Sequence, residues 1–159
     1  MKVLQILPQL NIGGVERGTL DLSKALIQKG HESFVISGGG ILVDELIQSG
    51  AKHYEIPVHI KSLRTLSLAK NLSKTISFID PDIVHVRSRM PAWVNFRAFK
   101  MLQKKPLLIS TFHGLYSFPI YSQVMSFVDH SIAISKTVEK YILKNCLLYT
   151  SPSPRDGTS

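Results

Sequence analysis

Cysteine and long apolar runs are what this sequence has least of. Cys146 is the single cysteine among 159 residues, so neither an internal disulfide nor a cysteine-built metal site can form. No apolar run reaches the roughly 18–20 residues that span a bilayer. The first residues, MKVLQILPQL, lack the small-residue cleavage site of a signal peptide. We therefore expect a cytoplasmic protein with no transmembrane helix.

Two common nucleotide motifs are also absent. The loop from Gly13 to Gly18 reads GGVERG, which fits neither the G-x-G-x-x-G of dinucleotide-binding proteins nor the phosphate loop of ATPases. Asp80 and Asp82 spell the D-x-D that holds a metal in some sugar-transferring enzymes. They precede a predicted strand, however, and Pro81 between them favours a turn. We therefore expect no metal and no cofactor.

Positive charge is concentrated in one part of the chain. The formal charge is +8, and residues 56–105 hold ten of the basic residues but only two acidic ones. The remainder of the chain is balanced. Such a surface suggests an anionic partner, such as a nucleotide, a phosphorylated glycan, an anionic lipid or a nucleic acid. The alternative is a solubilising face that binds nothing.

Short apolar runs alternate with amphipathic runs of helical spacing. The predicted strands are KVLQILP, HESFVISG, AKHYEIP, PDIVHVRS, PLLISTFHG and HSIAIS. The predicted helices cover residues 14–29, 42–49, 65–78, 91–104, 120–127 and 136–145. This alternation predicts an α/β fold with a doubly wound, Rossmann-like parallel sheet in the strand order 3-2-1-4-5-6.

Ligands of such sheets bind beyond the carboxyl ends of the strands. The segments predicted at that edge are residues 10–17, 38–40, 87–90 and 112–116. In the first of them, Gly13 and Gly14 let the backbone approach a ligand closely and leave N–H groups unpaired where a helix begins. A diphosphate or a sugar fits there; the alternative is a tight strand-to-helix turn.

The sequence HVRSR ends the fourth predicted strand. His85 and Arg87 share one face of that strand, and Ser88 and Arg89 follow at once. Two guanidinium groups at a crevice rim suit a phosphate or a carboxylate. The alternative is surface arginines beside a core histidine.

His113 ends the fifth predicted strand and Gly114 follows it. A histidine in this position can hydrogen-bond a substrate hydroxyl or stabilise developing charge. The alternative is a histidine whose ring is satisfied by backbone carbonyls.

The fourth predicted helix, residues 91–104, begins with a proline at its first position. It places Arg97, Lys100 and Lys104 at positions i, i+3 and i+7, with aromatic residues on its other faces. Such a stripe can dock on an anionic membrane; the alternative is a helix whose aromatic residues simply pack on the sheet.

Several of these blocks together resemble a known family. LPQLNIGGVERGTLDLSKALIQKGHE, PDIVHVRSR, TFHGLY and AISKTVEKYI are similar to blocks of the N-terminal domain of family-four glycosyltransferases. The resemblance extends over residues 1–145, and it implies the first half of a two-domain GT-B fold. It further implies retaining, metal-free transfer of a sugar from a nucleotide-diphosphate sugar to a cell-envelope glycan or glycolipid.

The resemblance also assigns roles to the candidate residues. It makes His113 catalytic, through contact with the donor sugar. The donor-binding residues are Gly13, Gly14, Arg17 and Gly114. The acceptor-binding residues are His85, Arg87, Ser88 and Arg89.

The last residues, 146–159, read CLLYTSPSPRDGTS and resemble a translated sequencing adapter. We treat them as a non-native tail on a domain of residues 1–145; the alternative is a natural Ser/Pro-rich linker. The paired glutamates (E-x₇-E) that hold the donor in this family belong to a second domain. We therefore expect the fragment to be inactive and to expose an apolar patch where that domain would sit.

Three other functions remain open at this point. The first is a non-catalytic basic module that binds anionic membrane or nucleic acid. The glycosyltransferase interpretation itself leaves open peripheral contact with an anionic membrane at its inner face. The second is a sugar epimerase of GT-B architecture. The third is a nicotinamide-dependent oxidoreductase, which the GGVERG loop disfavours. Since the aromatic residues are not interleaved with base-reading positions, we expect no nucleic acid partner.

Overall fold

The structure is a computed structural model that describes residues 1–58, 65–112, 128–133 and 136–137, with the backbone alone at residues 65, 66 and 112. Within these ranges the chain forms six strands and four helices, and residues 136 and 137 are also helical. The strands are β1 Lys2–Ile6, β2 Glu32–Ser37, β3 Lys52–Glu55, β4 Ile83–Val86, β5 Leu107–Phe112 and β6 His130–Ala133. The helices are α1 Gly14–Gln28, α2 Val43–Gln48, α3 Thr65–Ile79 and α4 Arg89–Phe99.

All six strands are parallel and lie in the order β3-β2-β1-β4-β5-β6. This is the predicted order, so the doubly wound sheet is confirmed. The chain moves outward from β1 to β3, then crosses back to β4 beside β1 and continues to β6. The crossovers therefore change direction between β1 and β4. The carboxyl ends of these two strands are the switch point of the fold.

Apolar side chains pack on both faces of the sheet. On one face the strands meet α3 and α4 through a cluster that includes Leu4, Ile6, Leu72, Ile76, Val84, Val86, Val94 and Ala98. On the other face a smaller cluster packs beneath α1 and α2 and consists of Leu7, Leu10, Leu20, Val35, Leu46 and Ala51. The near-continuous apolar strands follow from this double coverage.

The second face also buries polar side chains. Thr19 and Ser23 are the residues that α1 buries along with Leu20. The Ser23 and Ser33 hydroxyls are hydrogen-bonded at 2.6 Å between α1 and β2. This face therefore tolerates polar groups, provided that each finds a partner.

The predicted bounds of the fourth helix were wrong at both ends. Helix α4 begins at Arg89, so the proline is its third residue, and it ends at Phe99. Lys104 consequently lies outside the helix, where it pairs with Asp80 at 3.2 Å. The basic stripe is thus not a helical face.

The aromatic residues of α4 pack as the alternative interpretation expected. Trp93 and Phe96 contact the core cluster and meet edge-to-face, with ring centroids 6.2 Å apart. Lys100 places its ammonium 4.6 Å from the centroid of the Phe96 ring.

The Asp80–Asp82 segment, where a turn was predicted, connects α3 to β4. Asp80 adopts a left-handed φ of 52°, and the Asp82 carboxylate accepts a hydrogen bond from the Lys2 backbone N–H at 2.8 Å. The Asp82 carboxylate therefore joins the amino ends of β1 and β4. The predicted helix 120–127, most of helix 136–145 and the tail 146–159 lie outside the described residues.

Candidate functional site

Loops from neighbouring strands come together at the carboxyl ends of β1, β2 and β4. The loop after β1 is fastened to the loop after β2 by backbone hydrogen bonds. Leu10 N–H donates to Gly39 O at 2.8 Å, and Leu42 N–H donates to Leu10 O at 2.8 Å. Gly40 has a φ of +149°, and a Cβ there would collide with the Leu10 backbone. This close approach fixes the segment that leads into α1.

The first turn of α1 offers backbone N–H groups to a ligand. Gly13 is the residue before the helix, in extended conformation, and no side chain caps the helix. Gly14 is exposed, and a Cβ built on it meets no atom within 4 Å. The Glu16 carboxylate folds over Gly13, where its negative charge interacts favourably with the positive end of the helix dipole. A ligand can therefore reach Gly14 directly, whereas access to Gly13 requires Glu16 to turn aside.

Arg17 faces α2 rather than the open edge. Its Nη1 and Nη2 donate to the two oxygens of Glu45 at 3.0 and 3.2 Å. Lys24 adds a contact to Glu45 at 3.3 Å. Arg17 therefore links α1 to α2 in an exposed, bidentate ion pair, and its donor-binding role stays a prediction.

Arg87 lies directly after β4, at the switch point, and is 7% exposed. Its Nε donates to Oε1 of Gln5 at 2.9 Å, and Nε2 of Gln5 donates to Thr19 O of α1 at 3.2 Å. Burial lowers the pKa of Arg87 from its usual value, yet an arginine remains charged at neutral pH. The chain thus holds a cation inside the crevice by a relay of two hydrogen bonds.

The other residues of HVRSR divide between the interior and the edge. His85 is buried on β4, and its Nε2 is hydrogen-bonded to the Thr111 hydroxyl of β5 at 2.5 Å. Ser88 precedes α4 in extended conformation, and its carbonyl accepts the Ala92 N–H at 3.0 Å. Arg89 is the first residue of α4 and is half-buried. His85 is therefore set further inside than a residue of the rim, and its role toward an acceptor stays a prediction.

His113 and Gly114 lie outside the described residues, so their roles stay predictions. The structure brings Gly13, Gly14, Arg87, Ser88 and Arg89 to the carboxyl edge of the neighbouring strands β1 and β4. It does not bring Arg17 or His85 to that edge, because Arg17 turns toward α2 and His85 lies further inside. Gln5 was not anticipated. A buried glutamine in the middle of the apolar run KVLQIL was the signal that could have revealed it, because such a group needs a partner.

Two negative findings apply to the described part of the chain. No group of three or more acidic, histidine or cysteine side chains there is placed to hold a metal ion. None of the helices in those ranges is both long and apolar enough to cross a membrane.

Comparison with known proteins places these features in a family. The family model of Glycosyltransferase Family 4 matches residues 12–149. A glycosyltransferase from Rickettsia africae ESF-5, known from its crystal structure, is 35% identical and superimposes with a TM-score of 0.74 over 91% of this chain and 39% of its own. The comparison with curated proteins gives no match.

Two more distant structures share the fold. The lipopolysaccharide outer core galactosyltransferase WaaB is 18% identical, with a TM-score of 0.71 over 92% of this chain and 43% of its own. Alr3699/HepE from Anabaena, in complex with UDP and glucose, is 18% identical, with a TM-score of 0.72 over 91% of this chain and 41% of its own. The chain thus spans about two fifths of each of these proteins.

The family match covers most of the chain, and the strand order and the glycine-started helix agree with the earlier resemblance. The N-terminal, Rossmann-like half of a GT-B fold, predicted from the sequence, is therefore confirmed. The chain belongs to Glycosyltransferase Family 4.

Proposed function

We propose that the chain is the acceptor-side half of an enzyme that transfers a sugar, with retention, from a nucleotide-diphosphate sugar to a cell-envelope glycan or glycolipid. The 159 residues alone are expected to be inactive, because transfer needs donor and acceptor held together in one closed cleft. We propose no metal in this reaction.

The observation that carries the proposal is the pairing of an open helix start with a buried cation at one switch point. Gly14 leaves its backbone accessible, and Arg87 lies after the adjacent strand β4. The positive end of α1 and the guanidinium both favour negative charge. A diphosphate, which becomes more negative as it leaves the sugar, is the kind of group that such an arrangement stabilises.

The reaction requires three events at the anomeric carbon. The bond to the diphosphate breaks, the acceptor oxygen bonds to the same carbon, and the acceptor hydroxyl gives its proton to an oxygen of the departing diphosphate. In this proposal the first turn of α1 approaches the donor at Gly14, and His113 contacts the donor sugar near the reacting carbon. Ser88 and Arg89, at the rim beyond β4, line the acceptor side. The complex of Alr3699/HepE with UDP and glucose supports a nucleotide-sugar donor.

The test uses the complete reading frame that contains this chain. The product is incubated with UDP-, GDP- and ADP-sugars and with envelope glycolipid, and released nucleotide and labelled glycolipid are both measured. Gly14→Val fills the open space at the helix start, so we expect it to lower kcat/KM for the donor by about tenfold or more. Ala25→Val is the matched control, because Ala25 is exposed on the same helix.

Failure of every donor to give transfer would contradict the proposal, as would equal activity of the two valine variants. Salt-sensitive binding to anionic vesicles without turnover would instead favour the basic-module alternative.

A further inference from the structure

We infer that Arg87 is the anchor of an oxyanion site at the switch point between β1 and β4, that Gln5 positions it, and that the site takes a phosphate-class group of a substrate. This inference deepens the proposed function and rests on it only for the source of the phosphate. The oxyanion site itself rests on the surroundings of one side chain.

The first argument is the missing counter-charge. Arg87 is 7% exposed, yet none of the ion pairs found within residues 1–58, 65–112, 128–133 and 136–137 includes it. Exposed Arg17, by contrast, has both oxygens of Glu45. Burying a charge without a partner is costly, and a neutral side chain would fill the space more cheaply. A charge retained in this way indicates a ligand that completes the pair.

The second argument is the way in which the guanidinium is held. Gln5 is fully buried and is itself tied to Thr19 O of α1, so it fixes Nε of Arg87 through a rigid group. The described residues provide no hydrogen-bond partner for Nη1 and Nη2. This leaves the fork of two N–H groups that matches two oxygens of a phosphate or carboxylate.

The third argument is the position of the two terminal nitrogens of Arg87 beside α1. Nη1 lies 3.8 Å from the position that a Cβ would take on Gly18 of α1. The guanidinium therefore lies against α1 about one helical turn from the open start of the helix at Gly14. An anion on Arg87 would therefore also feel the positive end of the α1 dipole.

The experiment measures thermal unfolding of the 159-residue chain with inorganic phosphate, against chloride at matched ionic strength. At about ten times its dissociation constant, phosphate should raise the midpoint of the wild type by about 3–5 °C. Arg87→Met should lose this response. Arg97→Met is the matched control, since Arg97 is exposed on α4 and should keep it.

A second variant separates binding from folding. Arg87→Met leaves Oε1 of Gln5 without its donor, whereas Gln5→Leu with Arg87→Met removes both partners together. We expect this double variant to unfold at or above the wild-type midpoint without phosphate, because an unpaired charge has gone, and to show no phosphate response. A purely structural Arg87 would give the opposite result: a lower midpoint for the double variant and an unchanged phosphate response. That result would overturn the inference.

UDP binding to the product of the complete reading frame, with and without Arg87→Met, identifies the source of the phosphate. If Arg87→Met weakens UDP binding as well, the group is the diphosphate of the donor. If UDP binding survives and only the phosphate response is lost, the group belongs to the acceptor. A phosphate response equal in wild type and Arg87→Met overturns the inference in either case. It does not contradict the proposed function, which the transfer assay of the complete reading frame tests separately.

Discussion

The Nε of Arg87 donates a hydrogen bond to Oε1 of Gln5 over 2.9 Å, although 82 positions separate the two residues in the chain. They meet because β1 and β4 are neighbours in the sheet, with Gln5 opposite His85. Side chains alternate along a strand, so Arg87, two residues beyond His85, lies on the same face as Gln5. One glutamine thus joins both strands to α1.

Gln5→Leu should destabilise the chain by about 1–3 kcal/mol, because it leaves a buried charged donor without its acceptor. Urea unfolding gives the free energy directly. Gln9→Leu is the control: Gln9 is exposed just beyond β1, and a surface change of this kind stays within about 0.5 kcal/mol. Similar losses in the two variants would show that the Gln5 contact contributes nothing specific.

Two substitutions at Gly18 should separate the effect of helix propensity from that of steric contact with Arg87. A methyl group there fits at 3.8 Å from Nη1, so Gly18→Ala should stabilise the chain by about 0.5–1 kcal/mol through the better helix former. Gly18→Leu has a similar propensity but needs the space of the guanidinium, and overpacking costs about 1–3 kcal/mol. Chemical denaturation of both variants tests this, and equal stabilities would contradict the contact.

The order of the sheet was predictable from the sequence, because the alternation of apolar and amphipathic runs leaves few topologies. The six strands and the helices from 14 to 79 agree with prediction to within a few residues. Helix α4 was harder: Lys100 and Lys104 continue a helical pattern, yet the helix ends at Phe99. The Lys100 ammonium over the Phe96 ring and the pairing of Lys104 with Asp80 compete with helix continuation, and no local periodicity shows such contacts.

The candidate site was predictable only as a set of strand ends. Strand order brings the segments after β1 and β4 together, so Gly14 and Arg87 could be placed at one edge. The burial and orientation of each side chain could not be predicted. His85 is buried against β5, where it is hydrogen-bonded to the Thr111 hydroxyl, and Arg17 turns toward α2. These details depend on partners that are far away in the sequence.

Gly40 should be the least replaceable of the described glycines in the loops at the carboxyl edge. Gly40→Ala combines a positive φ with a collision against the Leu10 backbone, and we expect a loss of about 3 kcal/mol or more. Gly30→Ala is the matched control: its φ is +85° but the added Cβ meets nothing within 4 Å, so only the backbone strain of about 1–2 kcal/mol applies. Equal losses measured by urea unfolding would mean that the two loops separate to admit the methyl group.

His53 should make stability depend on pH. Its Nε2 is hydrogen-bonded to Oγ of Ser37 at 2.7 Å, and the Gly39 N–H donates to the same oxygen at 3.1 Å. With one lone pair taken by Gly39, the Ser37 hydroxyl can still give its own proton to a neutral imidazole. Burial lowers the pKa of His53, against the opposing effect of Glu55. The neutral ring is thus the form that the folded chain favours.

The sign of the effect follows from linkage. Histidine in the unfolded chain has a pKa of about 6.5, and His53 in the folded chain takes up its proton less readily. The contribution of His53 is therefore fully present above that pH and is lost as pH falls from there through the lowered folded pKa. His53→Gln keeps a polar partner for Ser37 but does not titrate. Urea unfolding from about pH 7.5 to about pH 5 should show the variant gaining on the wild type as pH falls; a constant difference would mean that His53 takes up its proton equally well in both states.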